Sequence, residues 1–174
     1  ESRSQGMRIG EGAAYLCIEQ LGFARARGAD VRAEIIGYGN AFEPPDSEAV
    51  LVQVSARAVE RAIRMALADA ELAPNEIDLV ASAQSGIARF DATELAGIDA
   101  ALGREVPVAT PKSIYGETFG AGAALAMACA VAWFRGVSVA PLLRRSHQRQ
   151  TRHILVTAVG YYGNASALVM RRHD

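Results

Sequence analysis

Two cysteines and three histidines are the side chains of this sequence with the widest catalytic and metal-binding chemistry. A thiolate can attack a carbonyl carbon, and a neutral imidazole can accept a proton or bind a metal ion. Cys17 and Cys129 each lie inside an apolar stretch, which predicts two reduced thiols in a core and neither a disulfide framework nor a metal cluster. Because Cys129 falls in the interior of a predicted helix, away from the amino terminus that would activate a thiol, we expect a core thiol and not a nucleophile.

The histidines lie in an arginine-rich region near the end of the chain. His147, His153 and His173 are found among six arginines from position 144 onwards. This composition predicts surface histidines. The basic stretch 144–152 can be a patch that meets an acidic protein or a solvated loop, and we favour the loop.

One lysine and two carboxylates form a further candidate group. Lys112 can hold a ligand, or it can form a buried ion pair with Asp91 and Glu94 that serves structure alone. The sequence favours neither interpretation over the other.

The composition describes one globular domain. The chain has 174 residues, of which 51% are hydrophobic and 21% are charged, so it can bury a core. A formal net charge of -1 offers no broad cationic surface, which argues against nucleic acid and acidic membranes as partners. The longest apolar run, 121–134, is too short to cross a bilayer, and the amino terminus does not resemble a signal peptide. We therefore expect a soluble, cytoplasmic protein that binds small neutral ligands or other proteins.

Alternating strands and helices must position these side chains. Apolar alternation predicts strands, and apolar residues at helical spacing after a capping Asp46 or Ser47 predict a long helix. The run 120–134 is apolar all round, which predicts a helix buried between layers. This pattern predicts an α/β layered domain with a mixed, roughly five-stranded sheet packed by helices. The predicted strands are 13–18, 31–38, 79–83, 106–109, 137–142, 154–160 and 166–171, and the predicted helices are 46–70, 91–102 and 120–134.

Several short motifs occur in the order found in a known family. Residues 10–14 read GEGAA, residues 24–29 read ARARGA and residues 33–39 read AEIIGYG. Residues 66–70 and 74–78 read ALADA and PNEID. Together they resemble the carboxy-terminal half of β-ketoacyl-acyl carrier protein synthases, which belong to the thiolase superfamily. The resemblance implies that 1–174 is one thiolase-like lobe without the amino-terminal half, which carries the family's nucleophilic cysteine.

The resemblance also locates the two catalytic histidines of the family. Its NAHGTST motif corresponds to ASAQSGI at 81–87, with the register supported by Asp91 and Glu94, so Ala83 stands at the first histidine position. Its KSxxGH motif corresponds to KSIYGE at 112–117, so Glu117 stands at the second.

The last motif of the family, GFGGNNASLVF, corresponds to GYYGNASALVM at 160–170. Tyr162 replaces a glycine of this loop and is expected to stiffen it. Tyr161 is expected either to line an acyl tunnel or to be a core aromatic at a strand end. Glu117 is expected to contact a partner subunit or to be a solvated loop carboxylate.

Loss of both histidines implies loss of catalysis. In active members these side chains assist malonyl decarboxylation and hold the thioester oxyanion. Alanine has no hydrogen-bonding group, and an ionised carboxylate would repel a developing enolate. Removing one oxyanion donor costs roughly 10²–10³-fold in rate.

The same losses are typical of the chain length factor, the ketosynthase beta subunit of type II polyketide synthases. The resemblance implies a noncatalytic subunit that pairs with an active ketosynthase, meets an acyl carrier protein and shapes the cavity for a polyketide or polyene chain. No cofactor or metal is expected. One alternative is an active acyltransferase of fatty acid or polyketide biosynthesis that uses non-standard residues, and another is a purely structural lobe. The expected pocket-lining residues are Ala83, Lys112, Glu117, Tyr161 and Tyr162.

Overall fold

The structure is a computed structural model that describes residues 6–47, 49, 52–144 and 151–173. In this part of the chain, six strands form one mixed sheet in the order β1-β6-β5-β2-β3-β4. The α/β layered architecture predicted from the sequence is confirmed, with one strand more than the rough count of five. The strands are β1 (Ala33–Phe42), β2 (Leu79–Ala81), β3 (Val108–Ala109), β4 (Leu142–Arg144), β5 (His153–Val159) and β6 (Asn164–Arg172).

The direction of the central strands determines where a site can form. β2 runs parallel to both β3 and β5, whereas β1, β6 and β4 are antiparallel to their neighbours. The carboxyl ends of β2, β3 and β5 therefore meet at one edge of the sheet. The loops that follow these three ends carry most of the site residues predicted from the sequence.

Within the described residues, five α-helices accompany the sheet, with short 3₁₀ turns at Pro74–Glu76 and Phe119–Ala121. The helix predicted at 46–70 is shorter, because Ser55 is its N-cap and accepts a hydrogen bond from the backbone N–H of Ala58. Residue 46 is a bend and residues 52–55 are non-helical. The helices are α1 (Leu21–Ala26), α2 (Ala56–Asp69), α3 (Ala88–Leu102), α4 (Lys112–Tyr115) and α5 (Gly122–Phe134).

Helices α2 and α3 cover one face of the sheet. Ile63 of α2, Val80 of β2, Ile98 of α3 and Leu155 of β5 are completely buried in this layer. Gly37 of β1 lies so close to α2 that a Cβ there would come within 2.2 Å of the Ala66 carbonyl oxygen. The glycine is needed because backbone meets backbone at this contact.

Helix α5 packs on the other face and is less buried than predicted. Its buried residues, Gly122, Ala126, Ala130 and Phe134, recur every four positions and form a single stripe. The prediction of a helix buried on all sides is therefore wrong for this chain by itself. The remaining apolar surface of α5 has no covering layer within the described residues.

The strand predicted at 13–18 is absent, because the backbone of this segment pairs with no neighbouring strand in the described chain. Residues 11–20 have no regular secondary structure, and Tyr15 is 97% exposed. Cys17 is exposed as well, so the prediction that it lies in a core is wrong.

The helices of the described residues are too short or too polar to span a membrane.

Candidate functional site

A cavity of ≈ 250 Å³ lies at the edge where β2, β3 and β5 end. Its wall includes Ala83 after β2, Lys112 at the start of α4 and Thr157 near the end of β5. Phe119 and Asn164 contribute from the loop before α5 and from β6. Two of the five predicted pocket residues, Ala83 and Lys112, therefore line this cavity.

Glu117 is the most heavily hydrogen-bonded side chain of the site. It is 2% exposed, and it accepts a hydrogen bond from the ammonium Nζ of Lys112 at 2.6 Å and from the hydroxyl of Tyr161 at 2.9 Å. Its other oxygen accepts the backbone N–H of Phe119 at 2.7 Å. Burial opposes ionisation, but these hydrogen bonds and the lysine charge outweigh it and hold the pKa of Glu117 below its ordinary value. The expectation of a solvated loop carboxylate is therefore wrong.

Glu94 is a second buried carboxylate, placed beneath the loop that follows β2. It is 2% exposed and accepts hydrogen bonds from the Thr157 hydroxyl at 2.6 Å and from the backbone N–H of Ala83 at 2.8 Å. Burial is the dominant influence here and raises the pKa of Glu94, although both hydrogen bonds oppose that change.

The direct ion pair of Lys112 differs from the predicted one. Its ammonium contacts Glu117, whereas Asp91 accepts the backbone N–H groups of Ser85 and Gly86 at 2.9 Å each. Asp91 therefore shapes the loop after β2, and Glu94 supports the same loop through Ala83. Lys112 affects Glu94 only through a longer-range charge interaction.

Tyr161 and Tyr162 point to different environments. Tyr161 is partly buried and its ring packs at a tilt against Phe90, with the ring centroids 5.7 Å apart. Its hydroxyl donates to Glu117, and burial raises its pKa to about 12. Tyr162 is 47% exposed, and its backbone forms an isolated bridge with Gln53. The structure therefore brings together Lys112, Glu117 and Tyr161, with Ala83 beside them and Tyr162 outside.

Comparison with known proteins identifies the family. A family model described as the β-ketoacyl synthase C-terminal domain matches residues 32–145. The chain belongs to the β-ketoacyl synthase family. It is 32% identical to actinorhodin polyketide β-ketoacyl synthase 2 of Streptomyces coelicolor over 99% of this chain and 45% of that protein. It is 31% identical to the tetracenomycin polyketide synthase ketoacyl synthase beta subunit of Streptomyces glaucescens, again over 99% of this chain and 45% of that protein.

Solved structures give the same assignment. The ishigamide ketosynthase/chain length factor superposes with a TM-score of 0.87 at 28% identity, covering all of this chain and 46% of that one. The chain thus spans about 45% of the length of the relatives it matches. Its similarity to type II polyketide ketosynthase beta subunits and its thiolase-like fold agree with the resemblance found in the sequence.

The two histidines that the structure describes, His153 and His173, do not line the cavity. His153 begins β5, four residues or roughly 13 Å along the strand from Thr157. It is 9% exposed and its Nδ1 lies 3.0 Å from the Glu76 carbonyl oxygen, so the prediction of a surface histidine is wrong there. His173 follows β6 and pairs with Glu34 at 2.9 Å. His147 lies outside the described residues.

The remaining predictions concern Cys129 and the basic stretch 144–152. Cys129 is partly buried in α5, and burial raises the pKa of its thiol, which opposes nucleophilic reactivity.

In the basic stretch, Arg144 pairs with Asp99 at 2.6 Å and Arg152 is exposed, while 145–150 lie outside the described residues. Among the described residues, no group of three or more His, Cys, Asp or Glu side chains could hold a metal ion.

Two contributors to the site were missed by sequence reasoning. Thr157 donates a hydrogen bond to Glu94. The sequence places Thr157 on one face of β5, but it does not show which residue its hydroxyl contacts. Phe119 contributes through its backbone N–H and has a positive φ of 51°. A backbone donor leaves no signal in residue type, so only the structure shows it.

Proposed function

We propose that this chain is a lobe of a noncatalytic, chain-length-factor-like ketosynthase subunit. The subunit pairs with an active β-ketoacyl synthase and shapes the cavity in which a polyketide or polyene acyl chain grows. The observation that carries this proposal is the pair of substitutions at the family's histidine positions: Ala83, and a Glu117 that is buried in an ion pair.

The chemistry of the site supports the proposal. Condensation needs hydrogen-bond donors that stabilise negative charge on a thioester oxygen. The Ala83 methyl group has no donor, and Glu117 already accepts hydrogen bonds from Lys112, Tyr161 and Phe119. Each missing oxyanion donor costs roughly 10²–10³ in rate, so we expect no useful condensation from these residues.

Exposed apolar side chains support a protein partner. Tyr15 is 97% exposed, Ile18 68%, Phe23 65% and Tyr38 53%. An apolar surface of this kind is typical of a face covered by another protein layer. We propose that an amino-terminal thiolase-like lobe and the active ketosynthase cover it, so that 1–174 acts as the carboxy-terminal lobe of the assembly.

The names of the relatives point the same way. One relative is a ketoacyl synthase beta subunit, and one similar solved structure is a ketosynthase/chain length factor. We propose that an acyl carrier protein delivers the growing chain to this assembly. The two cysteines are free thiols, which suits a reducing compartment, and we place the assembly in the cytoplasm.

Coexpression with an active β-ketoacyl synthase of a type II polyketide system tests the proposal. We expect the two proteins to purify together and the pair to make a product whose length changes when cavity residues of this subunit are changed. A protein that stays alone and leaves product length unaltered would refute the pairing.

An assay of malonyl-carrier decarboxylation tests the noncatalytic assignment separately. We expect no turnover by this protein without the ketosynthase. Turnover that disappears in Lys112→Met or Tyr161→Phe would instead support an acyltransferase that uses non-standard residues.

A further inference from the structure

Three hydrogen-bond donors converge on the position of the Glu117 carboxylate. The Lys112 ammonium and the Tyr161 hydroxyl reach one oxygen at 2.6 and 2.9 Å, and the Phe119 N–H reaches the other at 2.7 Å. Such a set, with a cation, a hydroxyl and a backbone amide, is what proteins use to bind a carboxylate ligand. Here the carboxylate belongs to the chain itself.

The donors are held in place by burial. The side chain of Lys112 is only 11% exposed, so its charge is poorly solvated and needs a nearby anion. Gly122, the first residue of α5, lies beside the lysine stem, where a Cβ would come within 3.4 Å of the Lys112 Cε. Shortening the Glu117 side chain would therefore leave Lys112 without its anion.

The donor set adjoins the cavity. Both Lys112 and Phe119 line the ≈ 250 Å³ space, so a small ligand that enters it reaches the ammonium group. With Glu117 ionised, the charge of Lys112 is already neutralised, and Glu94 adds a second carboxyl group within range of the lysine. An incoming carboxylate would gain little attraction and would meet repulsion.

We propose that Lys112, Tyr161 and the Phe119 N–H form an oxyanion-binding site, that the Glu117 carboxylate fills it as an internal ligand, and that Glu117 thereby excludes acidic ligands from the cavity. The cavity then selects uncharged acyl chains. That the selected ligand is an acyl chain rests on the proposed function. That the Glu117 carboxylate fills the oxyanion-binding site does not.

Rescue by formate tests the internal ligand directly. Glu117→Ala removes the carboxylate and leaves a space next to the three donors. The probe is sodium formate, with sodium chloride at equal ionic strength and neutral formamide as references, and the readouts are the thermal midpoint and binding by calorimetry. The protein is used in the assembly in which it purifies.

We expect formate to raise the thermal midpoint of Glu117→Ala in a concentration-dependent way and to bind it at least about 10-fold more tightly than the wild type, as charge-assisted hydrogen bonds to a carboxylate predict. Formamide should not replace it. The double variant Glu117→Ala/Lys112→Met should lose the response, and Glu19→Ala, which removes the exposed partner of Arg27, should show none.

Equal formate binding by the wild type and Glu117→Ala would overturn the proposal, as would no binding by the variant. If Glu117→Ala is recovered only as aggregate, refolding with and without formate decides: recovery only with formate supports the site, and failure in both refutes it. None of these readouts needs the ketosynthase, so a failure of subunit pairing would leave this result intact.

Discussion

Glu94 and Glu117 are both buried carboxylates at the same edge of the sheet, yet they are stabilised in opposite ways. Glu117 has a lysine, a phenol and an amide around it, and its pKa is lowered. Glu94 has only a hydroxyl and an amide in direct contact, and burial raises its pKa. The difference lies in the position of one cation, since Lys112 is the only lysine of the chain.

This comparison shows how the position of one lysine separates two buried carboxylates. A buried lysine pairs with the carboxylate that comes closest with good geometry, because an unpaired charge costs several kcal/mol in the interior. An acidic residue at position 117, only five residues after Lys112, supplies that partner. Glu94 then functions through its hydrogen bonds to Thr157 and Ala83, which hold the loop after β2.

Lys112→Met should have the largest effect, because it leaves the Glu117 charge buried without a cation. We expect the free energy of unfolding at neutral pH to fall by about 3–5 kcal/mol, measured by urea denaturation. The matched control is Arg32→Met in the exposed Arg32–Asp30 pair, where at most about 1 kcal/mol should be lost. Equal losses in the two variants would show that Glu117 does not depend on the lysine.

Thr157→Val tests the surroundings of Glu94 and should have a smaller effect on stability than Lys112→Met. The change keeps the shape of the side chain and removes the hydroxyl that donates to Glu94 at 2.6 Å. We expect a loss of about 1–3 kcal/mol in unfolding free energy, since a buried acceptor is left with one donor fewer. Thr93→Val is the control, because its hydroxyl bonds only to the Arg89 carbonyl oxygen on the same helix. A loss no greater than that of the control would contradict the role of Thr157.

The contributions of the two carboxylates to the stability of the fold should change with pH in opposite directions. The lowered pKa of Glu117 means that its stabilisation is complete above the ordinary value of 4.5 and is lost as the pH falls through the folded-state pKa. The raised pKa of Glu94 means that its ionisation costs stability, and this cost appears as the pH rises above 4.5 and through its folded-state pKa.

Thermal midpoints from about pH 3 to about pH 8 would therefore respond differently to two glutamine variants. Glu117→Gln should reduce the loss of stability on acidification, and Glu94→Gln should reduce the loss on raising the pH. Identical pH profiles for the two variants would refute the opposite assignments.

Most of the longer elements were predictable because they depend on local pattern, whereas α1 and α4 were not predicted and the strand predicted at 137–142 shares only residue 142 with β4. Ser55 and the apolar face of α2 illustrate how far this goes: the helix was expected, and only its beginning was misplaced, since Asp46 and Ser47 can cap a helix as well as Ser55 can. The segment 13–18 shows the limit. Its apolar pattern suits a strand, but a strand forms only where another strand supplies hydrogen bonds.

The site was predictable in its residues and less so in its contacts. The motif register brought Lys112, Glu117 and Tyr161 to attention, and the structure places them together. The partner of Lys112 was misassigned because sequence spacing does not show which of several carboxylates is buried beside it. His153 was misjudged because its neighbours in sequence are charged, although its side chain packs inward at the start of β5.

Tyr161→Phe tests the surroundings of Glu117 and should have the smallest effect on unfolding free energy among these variants. The variant keeps the ring packed on Phe90 and removes one of three donors to Glu117, while Lys112 and the Phe119 N–H remain. We expect a loss of about 1 kcal/mol in unfolding free energy. Tyr162→Phe, on the exposed neighbour, should change stability by less than about 0.5 kcal/mol. Because the phenol donates to Glu117 only while the carboxylate accepts, the penalty of Tyr161→Phe should vanish in a Glu117→Ala background. A penalty that persists there would assign the hydroxyl to another partner, such as the Met7 Sδ at 3.7 Å.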